Sequence, residues 1–402
     1  MSDKTILVVN TGSSSIKMAL IDKQSEQLIA EGIAQRLGEK DAVLSWAVSE
    51  REHSYAIENA DCHEAMQKML DALFSLVDKN SIFAVGHRVV HGGERFFKPT
   101  LIDDVVIAEI ERISHLAPLH NPVNLLGIHT VRKLLPVLPH IAVFDTAFHH
   151  SIPLHACLYA VPYHWYTEYG VRRYGFHGTS HHYVAQEAAA LLGRKFECCK
   201  LLSVHLGNGC SATAIKDGIS LDTTMGMTPL EGLVMGTRSG DVDPSLHQFI
   251  AKQSGESLEK ITDILNRQSG LLGLSGLSND MRILLDAAKA GDSQAALAID
   301  VFCYRLAKSI AALAVSLGHI DAIIFTGGIG EHASVIRAKT LAQLEILDVE
   351  LDETRNTQHG EKTHGFISKD DAEVPLLVIA TAEEKMIARY VVTTLREEEK
   401  LS

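Results

Sequence analysis

Runs of apolar residues end repeatedly in small-residue turns along this chain. Ile6 to Val9 form a continuous apolar run, the mark of a buried strand, followed by Asn10-Thr11-Gly12, three hydroxyls (Ser13, Ser14, Ser15) and Lys17. The stretches MALID, LIAEGIAQRL and AVLSWAV within 18–50 predict further strands separated by polar turns. From 61 to 79 the period changes: Ala65, Met69, Leu70, Leu73, Leu76 and Val77 recur at helical spacing and predict a helix over one face of the first sheet. IFAVGHRVV (82–90) predicts a strand carrying Arg88, and IAVFDT (141–146) a strand delivering Asp145 at its end. Between them His120 stands on a loop before a helix expected to begin near Asn124.

The opening pattern returns twice. Residues 201–215, LLSVHLGNGCSATAI, again run strand, glycine turn, small hydroxyl residues, strand. Residues 321–331, DAIIFTGGIGE, predict a third strand ending in a glycine cluster, with a helix over Ala333 to Leu344. Such recurrence at long spacing predicts a duplicated α/β core whose turns present backbone N–H groups to one phosphorylated ligand. The opening loop resembles a phosphate loop without matching G-x-x-x-x-G-K-[ST]; on its own it also reads as a plain turn. Residues 222–244 predict a long ordered loop around Arg238, and 270–282 a glycine-rich loop ending in Asp280 and Arg282. Helices are expected at 258–266 and 293–318, and Thr179 or Ser180 as the cap of a helix after His177.

An arginine inside a buried strand demands a partner, so Arg88 reads either as half of an internal salt bridge or as an anion ligand. Histidines 87, 91, 120, 149, 150, 177, 181 and 182 fall in the same region. They form no recognised zinc pattern, which favours an anion-binding network over a metal centre. The 402 residues suggest two or three domains, and 46% hydrophobic with 22% charged composition fits a globular protein with a sizeable core. A net charge of −13 argues against nucleic acid and requires clustered cations for any anionic substrate. The six cysteines show no C-x-x-C, which fits reduced thiols and a cytoplasmic setting; Cys198-Cys199 reads as a surface coincidence near a helix end. No run approaches the roughly 18 apolar residues of a membrane helix, and MSDKT has no signal-peptide form.

Taken together, VVNTGSSSIK, GHRVVHGGE, LAPLHNP, VFDTAFH, RRYGFHGTSH, HLGNG, MGMTPLEGLVMGTRSGD, SGLSND and FTGGIGE resemble the acetate kinase family of short-chain carboxylate kinases, from about Thr5 to Arg389. The resemblance implies the duplicated two-domain α/β superfold of acetate kinases, sugar kinases, Hsp70 and actin, with ribonuclease H-like domains. It implies an N-terminal domain over 1–147, joined by the C-terminal helix 384–402, and a nucleotide-binding domain over 148–383. It further implies Mg²⁺ (or Mn²⁺) with ATP as co-substrate, acetate and acetyl phosphate as partners, and a homodimer.

By the same resemblance, Asn10 and Glu383 match the metal-associated positions, and Ser13 and Lys17 the phosphate loop. Arg88 and Arg238 match the arginines on the carboxylate and the moving phosphoryl group. Asp145 matches the active-site carboxylate, His177 the histidine that stabilises the transition state, and His120 a second histidine beside it. His205, Leu206, Gly207, Asn208 and Gly209 match a nucleotide-contacting segment. So do Asp280, Met281 and Arg282, and likewise Gly328, Ile329, Gly330, Glu331 and His332. Val90, Leu119, Phe176 and Pro229 match the pocket for the substrate methyl group, with Val90 as the size gate favouring acetate over propionate. Two departures stand out: His332 where the family often has Asn, and Ala380-Thr381-Ala382 in place of Pro-Thr-Asn.

Other readings are weaker. A propionate or broader short-chain carboxylate kinase differs only in that pocket. A dinucleotide oxidoreductase would need a complete G-x-G-x-x-G, but Ala333 stands in the last place. An actin-like or chaperone ATPase would need a polymer or peptide interface, and a sugar kinase would need Asp145 as a base.

Overall fold

The computed structural model describes residues 5–12, 15–48, 51–118 and 120–401. The chain divides into two compact units, residues 1–148 with 382–402, and residues 149–381.

The first unit is built on an eight-stranded sheet. Its strands are β1 (Thr5–Thr11), β2 (Ser15–Asp22), β3 (Leu28–Gln35), β4 (Val43–Val48), β5 (Arg51–Ala56), β6 (Ile82–Val89), β7 (Thr100–Leu101) and β8 (His140–Phe144), in the order β5-β4-β3-β2-β1-β6-β8-β7. The meander β1 to β5 is antiparallel, whereas β1, β6 and β8 run parallel. The expected helix covers one face as Cys62–Leu76, burying Met66, Met69, Leu70 and Leu73 against Leu7, Val9, Met18 and Trp46. On the other face Ile387, Ala388 and Val391 of the helix Glu383–Leu401 pack with Ile6, Val8, Ile141 and Val143.

The second unit repeats the motif with β9 (Lys200–Leu206), β10 (Cys210–Lys216), β11 (Ile219–Thr223), β12 (Ala322–Thr326) and β13 (Leu376–Val378), ordered β11-β10-β9-β12-β13. The pairings β9–β10 and β10–β11 are antiparallel, and β9–β12 and β12–β13 parallel. That is the same sequence of directions as β3-β2-β1-β6-β8, so the duplication read from the recurring turns is present in the sheets.

Several local expectations need correction. The helix after His120 starts at Asn121 rather than near Asn124, because Pro122 fits a first turn, where its missing N–H costs nothing. His177, at φ +56°, occupies the N-cap position of Gly178–Leu191, and Thr179 and Ser180 lie inside the first turn. The glycine cluster after β12 is itself a short helix, Gly327–His332, with a second helix at Ser334–Leu341. The stretch 270–282 is likewise partly helical, at Gly270–Ser275 and from Met281 onward. β5 carries almost no buried side chain, so no apolar alternation announced it. Cys199 is buried, with its thiol toward Lys195 O at 3.3 Å, and only Cys198 is exposed.

Candidate active site

In the first unit, β1, β6 and β8 bring Asn10, Arg88 and Asp145 to their C-terminal ends, where open α/β sheets bind ligands. Asn10 faces Lys17 across the β1–β2 pair. Arg88 grips Asp145 in a bidentate pair, Nε to Oδ1 at 3.0 Å and Nη2 to Oδ2 at 2.5 Å, and donates from Nη1 to Asn10 Oδ1 at 3.0 Å. Of its five N–H groups two find no acceptor among the described residues, one on each terminal nitrogen. Glu383 Oε2 lies 3.8 Å from Arg88 Nε. Burial works against the Arg88 charge, but Asp145, Glu383 and Glu384 outweigh it and raise its pKa. Burial also raises the Glu383 pKa; Arg88 opposes that shift, Glu384 adds to it and Lys17 opposes it. Three carboxylates (Asp145, Glu383, Glu384) thus surround two cations, a local surplus of negative charge.

Sequence reasoning missed what holds this corner. Asn124 accepts from Val90 N–H at 3.0 Å and donates to Thr11 O at 2.8 Å, tying the end of β1 to the residue after β6. Asn121 clasps the His91 backbone in both directions at 3.1 and 3.0 Å. Both amides are buried, and two buried asparagines at the start of a helix were the signal available. His120 stands at the N-cap position of that helix. Ser13 and Leu119 lie outside the described residues.

In the second unit, the β9–β10 turn, His177 and Arg238 converge. A Cβ placed on Gly209 would lie 3.3 Å from His177 Nε2 and 3.4 Å from Arg238 Nη1. Arg238 donates to Pro229 O at 3.3 Å, and among the described residues no carboxylate lies within 4.0 Å of it. Burial lowers its pKa, opposed by Cys210. His177 stacks on His205 with ring centres 4.4 Å apart. Phe176 is buried beside it, and Pro229 is half-buried.

The segments expected to meet a nucleotide do come together. A cavity of about 430 Å³ is lined by Gly207, Asn208, Asp280, Met281, Arg282, Gly328, Ile329 and His332, with Asn279, Leu285 and Ala333 added. Asn279 donates to Asn208 Oδ1 at 3.1 Å, joining two of its walls. Glu331 is not among the lining residues: its Oε1 accepts from the N–H groups of Gly327 and Thr381 at 2.9 and 3.0 Å, while Oε2 lies 3.9 Å from His332 Nε2. Gly330 is buried within the helix Gly327–His332, and the carbonyls of Gly330 and Glu331 accept from fully buried Arg337 at 2.7 and 2.9 Å.

The histidine-rich region is not one anion-binding network. Buried His87 stacks on His140, and burial, with His140 and Arg132, holds its pKa well below the ordinary value. Burial, with His115, pushes His91 down to about 3. Burial also pushes His149 down to about 4, against the Phe176 carbonyl that it faces. His181 is likewise depressed by burial, then by His149 and His205. These rings are neutral structural groups; what reads as cation density in sequence is core packing.

Duplicated α/β units with glycine turns at their strand ends define a protein of the acetate kinase, sugar kinase, Hsp70 and actin superfold. The profile of the Acetokinase family matches residues 5–389. The sequence is 52% identical to the acetate kinase of Ectopseudomonas mendocina, over 96% of this chain and 98% of that protein. It is 48% identical to the acetate kinase of Thermotoga maritima, over 96% and 97%. The fold matches a propionate kinase from Francisella tularensis with TM-score 0.92 and 42% identity, covering 96% of this chain and 98% of that one. It matches the Porphyromonas gingivalis acetate kinase with TM-score 0.90 and 39% identity, covering 98% and 100%. The chain belongs to the acetokinase family.

Proposed function

We propose that the protein transfers the γ-phosphoryl group of ATP reversibly to the carboxylate of acetate, giving ADP and acetyl phosphate. The full-length match at 52% identity to an acetate kinase carries this reading, and the site chemistry supports it. Acetate is already ionised at neutral pH, so the reaction needs no general base. Asp145 is engaged by both its oxygens with Arg88, which suits a positioning role and not proton abstraction.

The difficulty is bringing two anions together, and arginine suits that task because it stays charged and binds through two donors. Arg88 offers its two uncommitted N–H groups to the carboxylate. Arg238, without a counter-ion, receives the developing charge on the moving phosphoryl oxygens, and His177 donates to the same group from Nε2. The nucleotide occupies the cavity walled by Gly207, Asn208, Asp280, Met281, Arg282, Gly328, Ile329 and His332, and the family resemblance assigns Lys17 and Ser13 to its phosphates. The same resemblance assigns His120 to the acceptor, and Val90, Leu119, Phe176 and Pro229 to its methyl group.

The donors fit Mg²⁺: Asn10 offers an amide oxygen and Glu383 a carboxylate, within the surplus of negative charge around Arg88. Such a hard ion is commonly held by one or two protein oxygens together with substrate phosphates. When bound, Mg²⁺ neutralises phosphate charge and aligns the nucleotide. No helix among the described residues is long and apolar enough to cross a membrane; by family likeness the enzyme works in the cytoplasm as a homodimer.

ATP-dependent formation of acyl hydroxamate with acetate, propionate, butyrate and glycerol, with and without Mg²⁺, tests the reading. Hydroxylamine traps acyl phosphates and not sugar phosphates. A Mg²⁺-dependent signal strongest with acetate is expected; no signal with any carboxylate, despite intact ATP hydrolysis, would overturn it.

A further inference from the structure

Behind His177 the second unit holds a run of alternating hydroxyls and imidazoles. His177 Nδ1 lies 2.9 Å from Ser211 Oγ. The same Oγ lies 2.7 Å from His181 Nε2, and His181 Nδ1 lies 2.9 Å from Ser203 Oγ. Ser203 on β9, Ser211 on β10 and His181 in the helix Gly178–Leu191 are all fully buried.

Each member has one hydrogen to give to this run. His181 is neutral, so it carries one N–H and one lone pair. If His181 donates from Nε2 to Ser211, it must accept at Nδ1 from the Ser203 hydroxyl. Ser211, accepting on that side, then turns its own hydrogen to His177 Nδ1. The His177 hydrogen is left on Nε2, the nitrogen near Gly209 and Arg238. In the opposite polarity Ser211 donates to His181, and His177 must keep its hydrogen on Nδ1. Nε2 could then donate only if the ring took a second proton. That charge would sit beside the Arg238 guanidinium, so a His177 that donates from Nε2 while uncharged requires the first polarity.

His149 steadies the same residue. Its Nε2 faces the Phe176 carbonyl at 2.9 Å and must donate there, while Nδ1 meets Ser220 Oγ at 2.9 Å. This anchors the peptide just before His177, whose left-handed backbone (φ +56°) costs energy in a non-glycine residue.

We infer that Ser203, His181 and Ser211 form a positioning relay that fixes His177 as the Nε2–H tautomer, so that it hydrogen-bonds the transferring phosphoryl group while uncharged. The inference rests on the role proposed for His177 above. It assigns a task to three buried residues that need touch neither substrate.

Ser211→Ala cuts the relay beside His177. Its kcat is expected to fall about 10–100-fold, the usual cost of removing an outer-shell orienting partner, with KM for acetate and ATP little changed. The variant's kcat should also fall as pH rises through the histidine range, because only the imidazolium then guarantees a hydrogen on Nε2; the unmutated protein should stay level there. Ser211→Ala added to His177→Ala should cost nothing further. Nitrogen-15 NMR of the unmutated, histidine-labelled protein reads the tautomer directly, and decides the matter if Ser211→Ala does not fold. An Nδ1–H or doubly protonated His177 at neutral pH, or an unchanged kcat and pH profile in Ser211→Ala, overturns the relay. An unchanged kcat in His177→Ala instead overturns the role of His177, and the NMR result stands apart from it.

Discussion

Acidification should unfold both units through histidines that the folded chain keeps neutral. His91 in the first unit has a pKa of about 3, and His149 in the second about 4, both through burial. The ordinary value is about 6.5, so between these limits the unfolded chain binds more protons and stability falls as pH falls. At pH 5 an unfolded histidine sits about 1.5 units below its pKa. At about 1.4 kcal/mol per unit, each such group costs about 2 kcal/mol. His87 and His181 shift in the same direction for the same first reason, burial. A loss of about 2 kcal/mol per unit is a large share of the 5–15 kcal/mol that holds a typical domain together. Glu383 and Asp222, whose pKa values burial raises, shift the opposite way and offset part of the loss. Urea unfolding at pH 7.5 and 5.0, with hydrogen exchange to follow each unit, measures it. His149→Gln should shrink the pH-dependent loss in the second unit by about 2 kcal/mol, whatever it costs at neutral pH. Equal stability at the two pH values would refute the reasoning.

Three further outcomes are expected. Arg238→Ala should lower kcat by about 10³–10⁵, as loss of a charge-stabilising arginine does in other phosphoryl-transfer enzymes, with thermal unfolding little affected because no ion pair is broken; initial rates and melting curves decide. Arg88→Ala should destabilise the first unit by about 3–5 kcal/mol, since it removes the bidentate cation from the buried Asp145 carboxylate, and the urea midpoint should fall accordingly. Acetate should be preferred over propionate by roughly 10–200-fold in kcat/KM, and Val90→Ala should narrow the gap; equal kcat/KM for both acids in the unmutated protein would contradict Val90 as the gate.

The sheets were legible because their strands are short apolar runs ending in glycine turns, and that recurrence survives duplication. The cavity segments were singled out by recurring glycine turns together with the family resemblance, and Arg88 because an arginine in a buried strand demands a partner, which Asp145 supplies. The histidines misled for a physical reason: sequence carries no burial, and His87, His149 and His181 are desolvated while His177 is not described by the same pattern. Asn121, Asn124 and Ser211 escaped notice because small polar residues acquire meaning only from the backbone or ring they reach. The capping error at Thr179 arose from propensity, which favours a hydroxyl cap, whereas the chain places His177 there in a left-handed conformation.

The first unit is assembled from two distant pieces of chain. Its sheet face bearing Ile6, Val8 and Ile141 is completed by Ile387, Ala388 and Val391, and Gly86 lets that helix approach so closely that a Cβ would fall 2.6 Å from Ile387. The 233 residues from His149 to Thr381 intervene. At about 5–20 residues per second, a ribosome takes roughly 12–47 s to make them. Throughout that interval the nascent sheet carries a greasy face with no cover, while the second unit has everything it needs to fold. The later-made unit can therefore mature first, whereas the earlier-made one completes its core only after Ile387, Ala388 and Val391 have been made.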